Sequence, residues 1–271
     1  MTITLPAILV SVDPPEATVE AGTTLTFTAT VENDIAQRGV TWSIAPDSGA
    51  GTLSNPTSTS VTYVASADAP ASDVIVTITA TSETDTTRSG ISTITLPSPA
   101  IVIDPASTTL DAGGTQVFTA SMQHDPSPVD LNVTWEIQPE SGAGTLSDAT
   151  STSVTYHAPA TPPTSDLEAT ITATSILPPA LSATANVTVS AMTVSIDPGS
   201  ALVPIGKQQA FTAMAQHDPQ DGGVSWQLVQ SGNPCAPVCG ILDSFDVSSA
   251  VYLAPITVPA SPEVTLTATS L

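Results

Sequence analysis

Two cysteines and three histidines are the residues of this chain best suited to chemistry. Cys235 and Cys239 lie in Asn233-Pro234-Cys235-Ala236-Pro237-Val238-Cys239-Gly240, a C-x3-C spacing. A structural zinc site needs about four ligands, and no second Cys or His pair accompanies these two. A thioredoxin-type redox motif would be C-x-x-C beside a βαβ pattern. The spacing therefore predicts a small disulfide that pins a turn, and with it an oxidising compartment. His124 and His217 sit in repeated Gln-His-Asp-Pro segments, and His157 follows a tyrosine. Asp-Pro initiates turns, so these histidines read as loop residues rather than metal ligands. Serine and aspartate are abundant, so chance Ser/His/Asp pairs carry no information, and no phosphate-binding loop or paired-carboxylate cleft is legible. The chain reads as a non-enzyme.

The elements that position these residues repeat. Val12-Asp13-Pro14, Ile103-Asp104-Pro105 and Ile196-Asp197-Pro198 mark successive units 91 and 93 residues apart, and a fixed period of this kind signals a tandem array. Each mark is followed by a glycine turn and an alternating strand holding Phe27, Phe118 or Phe211. Next comes a Val-x-Trp strand with Trp42, Trp135 or Trp226, then a strand with Tyr63, Tyr156 or Tyr252. Trp and Tyr are 21 residues apart in the first two units and 26 in the third, so the cysteines lie in a five-residue insertion. Each unit then reaches Thr-Ala-Thr-Ser, at residues 79–82, 172–175 and 267–270. The nine recurring rings are expected at equivalent core positions, each worth about 2–3 kcal/mol when fully buried.

Composition agrees with strands. Hydrophobic residues are 41% and aromatics only 4%, with 25 Pro and 15 Gly as punctuation. β-Branched residues suit a pleated surface, and no long stretch has a 3.6-residue apolar period. About seven short strands in ~90 residues predict an all-β chain of three tandem immunoglobulin-like Greek-key β-sandwiches in an extended array. The expected units are a strand at residues 1–6 and domains at 7–98, 99–190 and 191–271. The Asp-Pro, Phe-Thr-Ala, Val-x-Trp, Val-x-Tyr and Thr-Ala-Thr pattern resembles bacterial Ig-like domains of the group-2, invasin/intimin-like type, and covers the chain three times. The resemblance implies the fold. It leaves function open, because such modules serve as stalks, adhesin arms and phage decorations.

Acidic residues number 25 against Arg38, Arg88 and Lys207, a net charge of −22. No basic patch can form, which excludes nucleic acid and anionic membrane as partners. No apolar run reaches the ~18 residues of a membrane span. Asp13, Asp104 and Asp197 recur near the junctions, but Ca²⁺ takes six to eight oxygens. No cofactor is expected, with Ca²⁺ at the junctions as an open alternative.

The phase of the repeat adds one expectation. Thr2-Ile3-Thr4-Leu5 is identical to Thr93-Ile94-Thr95-Leu96, the final strand of the first domain, whereas the third domain lacks its own final strand. A donor strand, Thr2, Ile3, Thr4 and Leu5, could therefore fill the third domain of another copy. Such a head-to-tail contact need not close and would build a fibre. The partner is then a copy of the chain, at the cell surface or outside the cell. The alternative is a segment of a longer stalk, adhesin or phage decoration whose surface ligand is a host glycan or protein.

Overall fold

A computed structural model describes residues 6–125, 131–176, 180–257 and 261–271. The donor strand expected at Thr2–Leu5 lies outside the described residues. The first repeat contains β1 (Leu9–Asp13), β2 (Glu16–Thr18), β3 (Thr24–Glu32), β4 (Val40–Ala45), β5 (Thr52–Ser54), β6 (Ser60–Val64), β7 (Val74–Ser82) and β8 (Ser89–Leu96). The second contains β9 (Ala100–Asp104), β10 (Ser107–Leu110), β11 (Thr115–Gln123), β12 (Val133–Gln138), β13 (Thr145–Ser147), β14 (Ser153–His157), β15 (Leu167–Ser175) and β16 (Ser182–Val189). The third contains β17 (Thr193–Asp197), β18 (Gln208–Gln216), β19 (Val224–Gln230), β20 (Asn233–Pro234), β21 (Ile241–Phe245), β22 (Ser249–Leu253) and β23 (Thr265–Ser270). Among the described residues there is no helix.

Each repeat builds two sheets. Their orders are β1-β3-β6-β5 with β2-β8-β7-β4, then β9-β11-β14-β13 with β10-β16-β15-β12, then β17-β18-β22-β21 with β20-β19-β23. The chain is thus a tandem series of all-β sandwiches. By internal packing it forms two compact units. One is Met1–Ile103 with Ala120–Thr134 and Ala173–Ala183; the other is Asp104–Thr119 with Trp135–Thr172 and Thr184–Leu271.

Period-two alternation places the core. In β3, Phe27 and Ala29 point inward while Thr26, Thr28 and Thr30 face water. In β7, Val76, Ile78 and Ala80 are fully buried, and β8 adds Ile94 and Leu96. The second repeat reproduces this with Phe118, Ile171, Ala173, Val187 and Val189. β8 runs antiparallel to β7 and parallel to β2, with Val76 opposite Ile94 and Ala17 opposite Ile94 on the other side.

The rings do not share one environment, which corrects the expectation of nine equal core positions. Phe27, Tyr63, Phe118 and Tyr156 are fully buried. Trp42, Trp135 and Trp226 are only half-buried. Trp42 and Trp135 lie on sheet-edge strands, β4 and β12. Each tryptophan turns its Nε1–H to a backbone carbonyl, Thr57, Thr150 or Asp246, at 3.0, 3.2 and 2.8 Å. Indole carries a polar N–H that requires a partner once it is withdrawn from water. Phe211 and Tyr252 of the third repeat are also half-buried.

Candidate functional site

The half-buried rings of the third repeat follow from its sheet of three strands. In the first two repeats the last strand, β8 or β16, lies between β7 or β15 on one side and β2 or β10 on the other. In the third, β23 pairs with β19 from Val224↔Ser270 to Val229↔Thr265, and no strand pairs with its other side among the described residues. Residues 200–202 align with β2 and β10 but form no strand. In the first two repeats that segment is held by parallel pairing to the last strand, as in Thr18↔Thr95 and Leu110↔Val189. Leu202 is 100% exposed, as the equivalent Thr18 and Thr109 are exposed in the paired repeats. Leu266 and Ala268, equivalent to the fully buried Ile78 and Ala80, are only partly covered. The result is an open slot along the free edge of β23, over apolar side chains that are only partly covered. It presents unpaired backbone groups and apolar side chains together, as a strand acceptor must.

The cysteines lie beside this repeat's other distinctive feature. Cys235 and Cys239 form a disulfide with S–S 2.01 Å and Cα–Cα 5.6 Å. It closes the insertion whose first residues form β20, paired to the end of β19 through Val229↔Pro234 and Gln230↔Asn233. The insertion also feeds a structural bond common to all repeats. Tyr63, Tyr156 and Tyr252 each donate the phenolic O–H to a backbone carbonyl 13 residues earlier. The acceptors are Ala50, Ala143 at 2.7 Å and Cys239 at 2.7 Å. Burial pushes all three phenols above their ordinary pKa. The next residue is always glycine. A Cβ on Gly144 would lie 2.3 Å from the His157 carbonyl oxygen and 2.7 Å from the Tyr156 ring, at a φ of +102°. Only glycine allows that approach. Strand alternation marks these tyrosines as core rings but does not reveal the bond.

Beyond the disulfide, the chemistry-bearing residues form structural contacts. His157 Nε2 lies 2.7 Å from Ser147 Oγ, which donates to Asp148 Oδ2 at 2.9 Å. A serine nucleophile needs its proton taken by histidine, with the carboxylate on the far side of the ring. Here the carboxylate accepts the serine proton, so the histidine is left as donor to the hydroxyl. The arrangement ties β13 to β14. Asp104 and Asp197 contribute backbone carbonyls to Thr119 and Thr212. No group of three His, Cys, Asp or Glu side chains that could hold a metal ion occurs among the described residues. His124 and His217 pair with carboxylates of the preceding repeat, at 2.9 and 2.7 Å. The Thr84 hydroxyl, with the amides of Gly39, Arg38 and Ala36, lowers Asp34 from its ordinary value. Asp246 is held down by the amides of Ser248 and Ser249. Each organises a turn. Among the described residues no helix is long and apolar enough to cross a membrane.

No family model matches the chain, and neither does any curated protein. Solved structures similar to it include extracellular cadherin domains 1–4 of protocadherin gamma B7, at 15% identity over 97% of this chain and 73% of that one, with a TM-score of 0.31. The human desmocollin-1 ectodomain is similar at 11% identity, covering 97% of this chain but 58% of that one, with a TM-score of 0.35. A three-domain immunoglobulin fragment of titin is similar at 10% identity over 93% of this chain and 90% of that one, with a TM-score of 0.29.

Proposed function

We propose that the chain is a non-enzymatic structural segment of an extracellular filament or surface fibre, built from immunoglobulin-like modules of the bacterial type, and that the slot beside β23 is its joining site. The occupant is the N-terminal strand of a second copy, Thr2–Leu5. The observation that carries this reading is the side of β23 left unpaired among the described residues, together with a segment of matching sequence elsewhere in the chain. Thr2–Leu5 repeats Thr93–Leu96 letter for letter, and Ile94 and Leu96 are fully buried between β7 and β2. In the same register Ile3 would stand opposite Val264 and Leu5 opposite Pro262. Thr2 and Thr4 would face water, as Thr93 and Thr95 do on the outer face of β8. Backbone hydrogen bonds would supply affinity, and the two apolar side chains would set the register. Because donor and acceptor are different surfaces, the contact is heterologous and propagates.

Electron microscopy of the purified chain tests this beside two variants, one lacking residues 1–6 and one carrying Ile3→Asp with Leu5→Asp. Fibres from the parent chain and dispersed particles from both variants are the expected result. Dispersed particles in all three samples would refute joining by strand addition.

One observation favours an adhesive second reading. Beside the disulfide loop the third repeat exposes Val238, Ile241 and Phe245, the last 64% exposed. The corresponding strands of the other repeats are the polar-flanked Thr52–Ser54 and Thr145–Ser147. A rigid apolar edge of this kind suits contact with a surface glycan or protein. Binding to a glycan array that Phe245→Ser abolishes would support it, and a blank array would remove it.

A further inference from the structure

The two histidines outside the sandwich cores do the same thing at equivalent places. His124 follows β11 and His217 follows β18, both in the left-handed region at φ 59°. Asn33 follows β3 at φ 61°. Asn and His enter this region more readily than most residues, and the shared backbone aims all three side chains alike. The carboxylates they meet are equivalent too. His124 Nδ1 lies 2.9 Å from Glu20 Oε1, and His217 Nδ1 lies 2.7 Å from Asp111 Oδ1. Glu20 and Asp111 each open the turn after the second strand of their repeat, where Thr23 N–H donates to the Glu20 carbonyl and Gly114 N–H to that of Asp111. Each pair spans two repeats, with partners 104 and 106 residues apart, and each lies inside one compact unit.

The pairing is absent where the sequence departs from the pattern. In the first repeat Asn33 stands at the histidine position, and its Nδ2 donates instead to the Ala7 carbonyl at 2.9 Å. In the third repeat Pro204 stands at the acid position, opening the same turn with its carbonyl accepting from Lys207 N–H. Each histidine–acid pair therefore stands at a passage between two repeats.

A second carboxylate acts at the same places. Asp73 accepts from the Ser98 amide at 2.8 Å and the Ser98 hydroxyl at 3.0 Å, and Asp166 accepts from the Ala191 amide at 2.8 Å. These fix the segment that leads from one repeat to the next. The Ser98 amide, then its hydroxyl, hold Asp73 below the usual carboxylate range, and the charge of His124 contributes in the same direction. Each repeat-to-repeat passage is thus held at its linker by an aspartate and at its rim by a histidine–carboxylate pair.

We propose that His124–Glu20 and His217–Asp111 are clasps that lock successive repeats to one another, and that histidine after the Phe strand together with an acid at the turn after the second strand is the code for a locked junction. The pairs are partly exposed, so each clasp is weak alone. Exposed pairs of this kind are worth a 1.5- to 5-fold change in population, roughly, so losing one should raise the unlocked fraction by about that factor. The sandwiches themselves should be untouched, because neither histidine enters a core.

Backbone N–H residual dipolar couplings on the full chain read the locking directly. In the parent chain neighbouring repeats should fit one alignment tensor. His124→Asn, which installs the residue of the first repeat, should make the first and second repeats need tensors of different magnitude while the second and third still share one. His217→Asn should do the converse. The exchanged pair Glu20→His with His124→Glu should restore the common tensor. Melting of the individual repeats should be unchanged throughout. Single variants that keep one common tensor would overturn the proposal, as would loosened single variants that the exchange fails to restore.

Discussion

Whether the open side of β23 accepts a strand can be tested by extending the chain itself, and the size of the expected effect follows from β16. Consider the chain extended after Leu271 by a copy of residues 177–189. Leu271 follows Thr-Ala-Thr-Ser as Ile176 does, so the copy leads a β16-type strand to the open edge. In their own repeat Val187 and Val189 are fully buried. A second extension carries alanine at the copies of both valines. Ordering the added strand costs the same in the two chains, so their difference isolates side-chain burial. Each Val→Ala change removes about two methylene equivalents at ~0.8 kcal/mol each, which gives about 3 kcal/mol for the pair. For a domain of this size 1 kcal/mol moves the midpoint by about 4–8 °C, so the two extended chains should differ by on the order of 12–24 °C in the melting of the third repeat. Calorimetry reads the difference. Hydrogen exchange localises it, because β23 amides not bonded to β19 should become protected only when the added strand docks. If both extensions melt like the parent chain and β23 exchanges as before, the slot does not accept a strand and the reasoning fails.

Other consequences can be checked one residue at a time. Tyr156→Phe leaves the buried Ala143 carbonyl without its donor, and denaturant unfolding should show a loss of about 1–3 kcal/mol in the second repeat. Ser92 is buried in the first repeat with its hydroxyl unpaired, where the second repeat has Ala185; Ser92→Ala should stabilise the first repeat by about 1 kcal/mol in the same assay. The folded pKa of Asp34 lies below its unfolded one, so its contribution is present above about pH 3.9 and lost as pH falls through the lower folded value. The amide resonances of Ala36 and Arg38, which donate to it, should therefore titrate together in that acid range and not above it. Reducing Cys235–Cys239 opens a loop of sequence separation 4, for which loop closure is worth about 2 kcal/mol; mass spectrometry after hydrogen exchange should show the gain confined to the insertion and β19–β21.

How much of this was legible in the sequence depended on the range of the interaction. Alternation of period two put Phe27, Phe118, Tyr63 and Tyr156 in the core, because inward residues of a strand are fixed by its pleat. The same alternation sent Trp42 and Trp135 inward but could not reveal that their strands are sheet edges, where an inward side chain is covered on one flank only. The tyrosine bond was in principle visible, since a glycine recurs at Gly51, Gly144 and Gly240 with the tyrosine at a constant spacing. That spacing has meaning only once the turn is known to fold back over the ring. The Gln-His-Asp-Pro pattern points His124 and His217 to turns, and both take a left-handed backbone. Their partners lie in another repeat, and no local pattern joins residues so distant in sequence. The recurrence of histidine in the second and third repeats, with asparagine in the first, was the one available signal.

The third repeat departs from the other two at both edges of its smaller sheet, and the departures differ in kind. Unpaired strand edges invite unwanted pairing, and proteins blunt them. In the first two repeats β4 and β12 are followed at once by Pro46 and Pro139, which offer no N–H to a neighbour. On their opposite edges β2 and β10 are only three and four residues long. In the third repeat β20 covers the end of β19, and the disulfide holds the turn that delivers it. β23, by contrast, is six residues long and contains no proline. Its sequence Thr-Leu-Thr-Ala-Thr-Ser has the alternation of the closed β7 and β15, so nothing in it has been adapted to face water along its inner side. Under the proposed joining, a sheet covered at one edge and open at the other would take a strand in one place and one direction. That asymmetry supports the proposed joining at β23, and it locates the residues where a disruptive change should act without unfolding the neighbouring repeats.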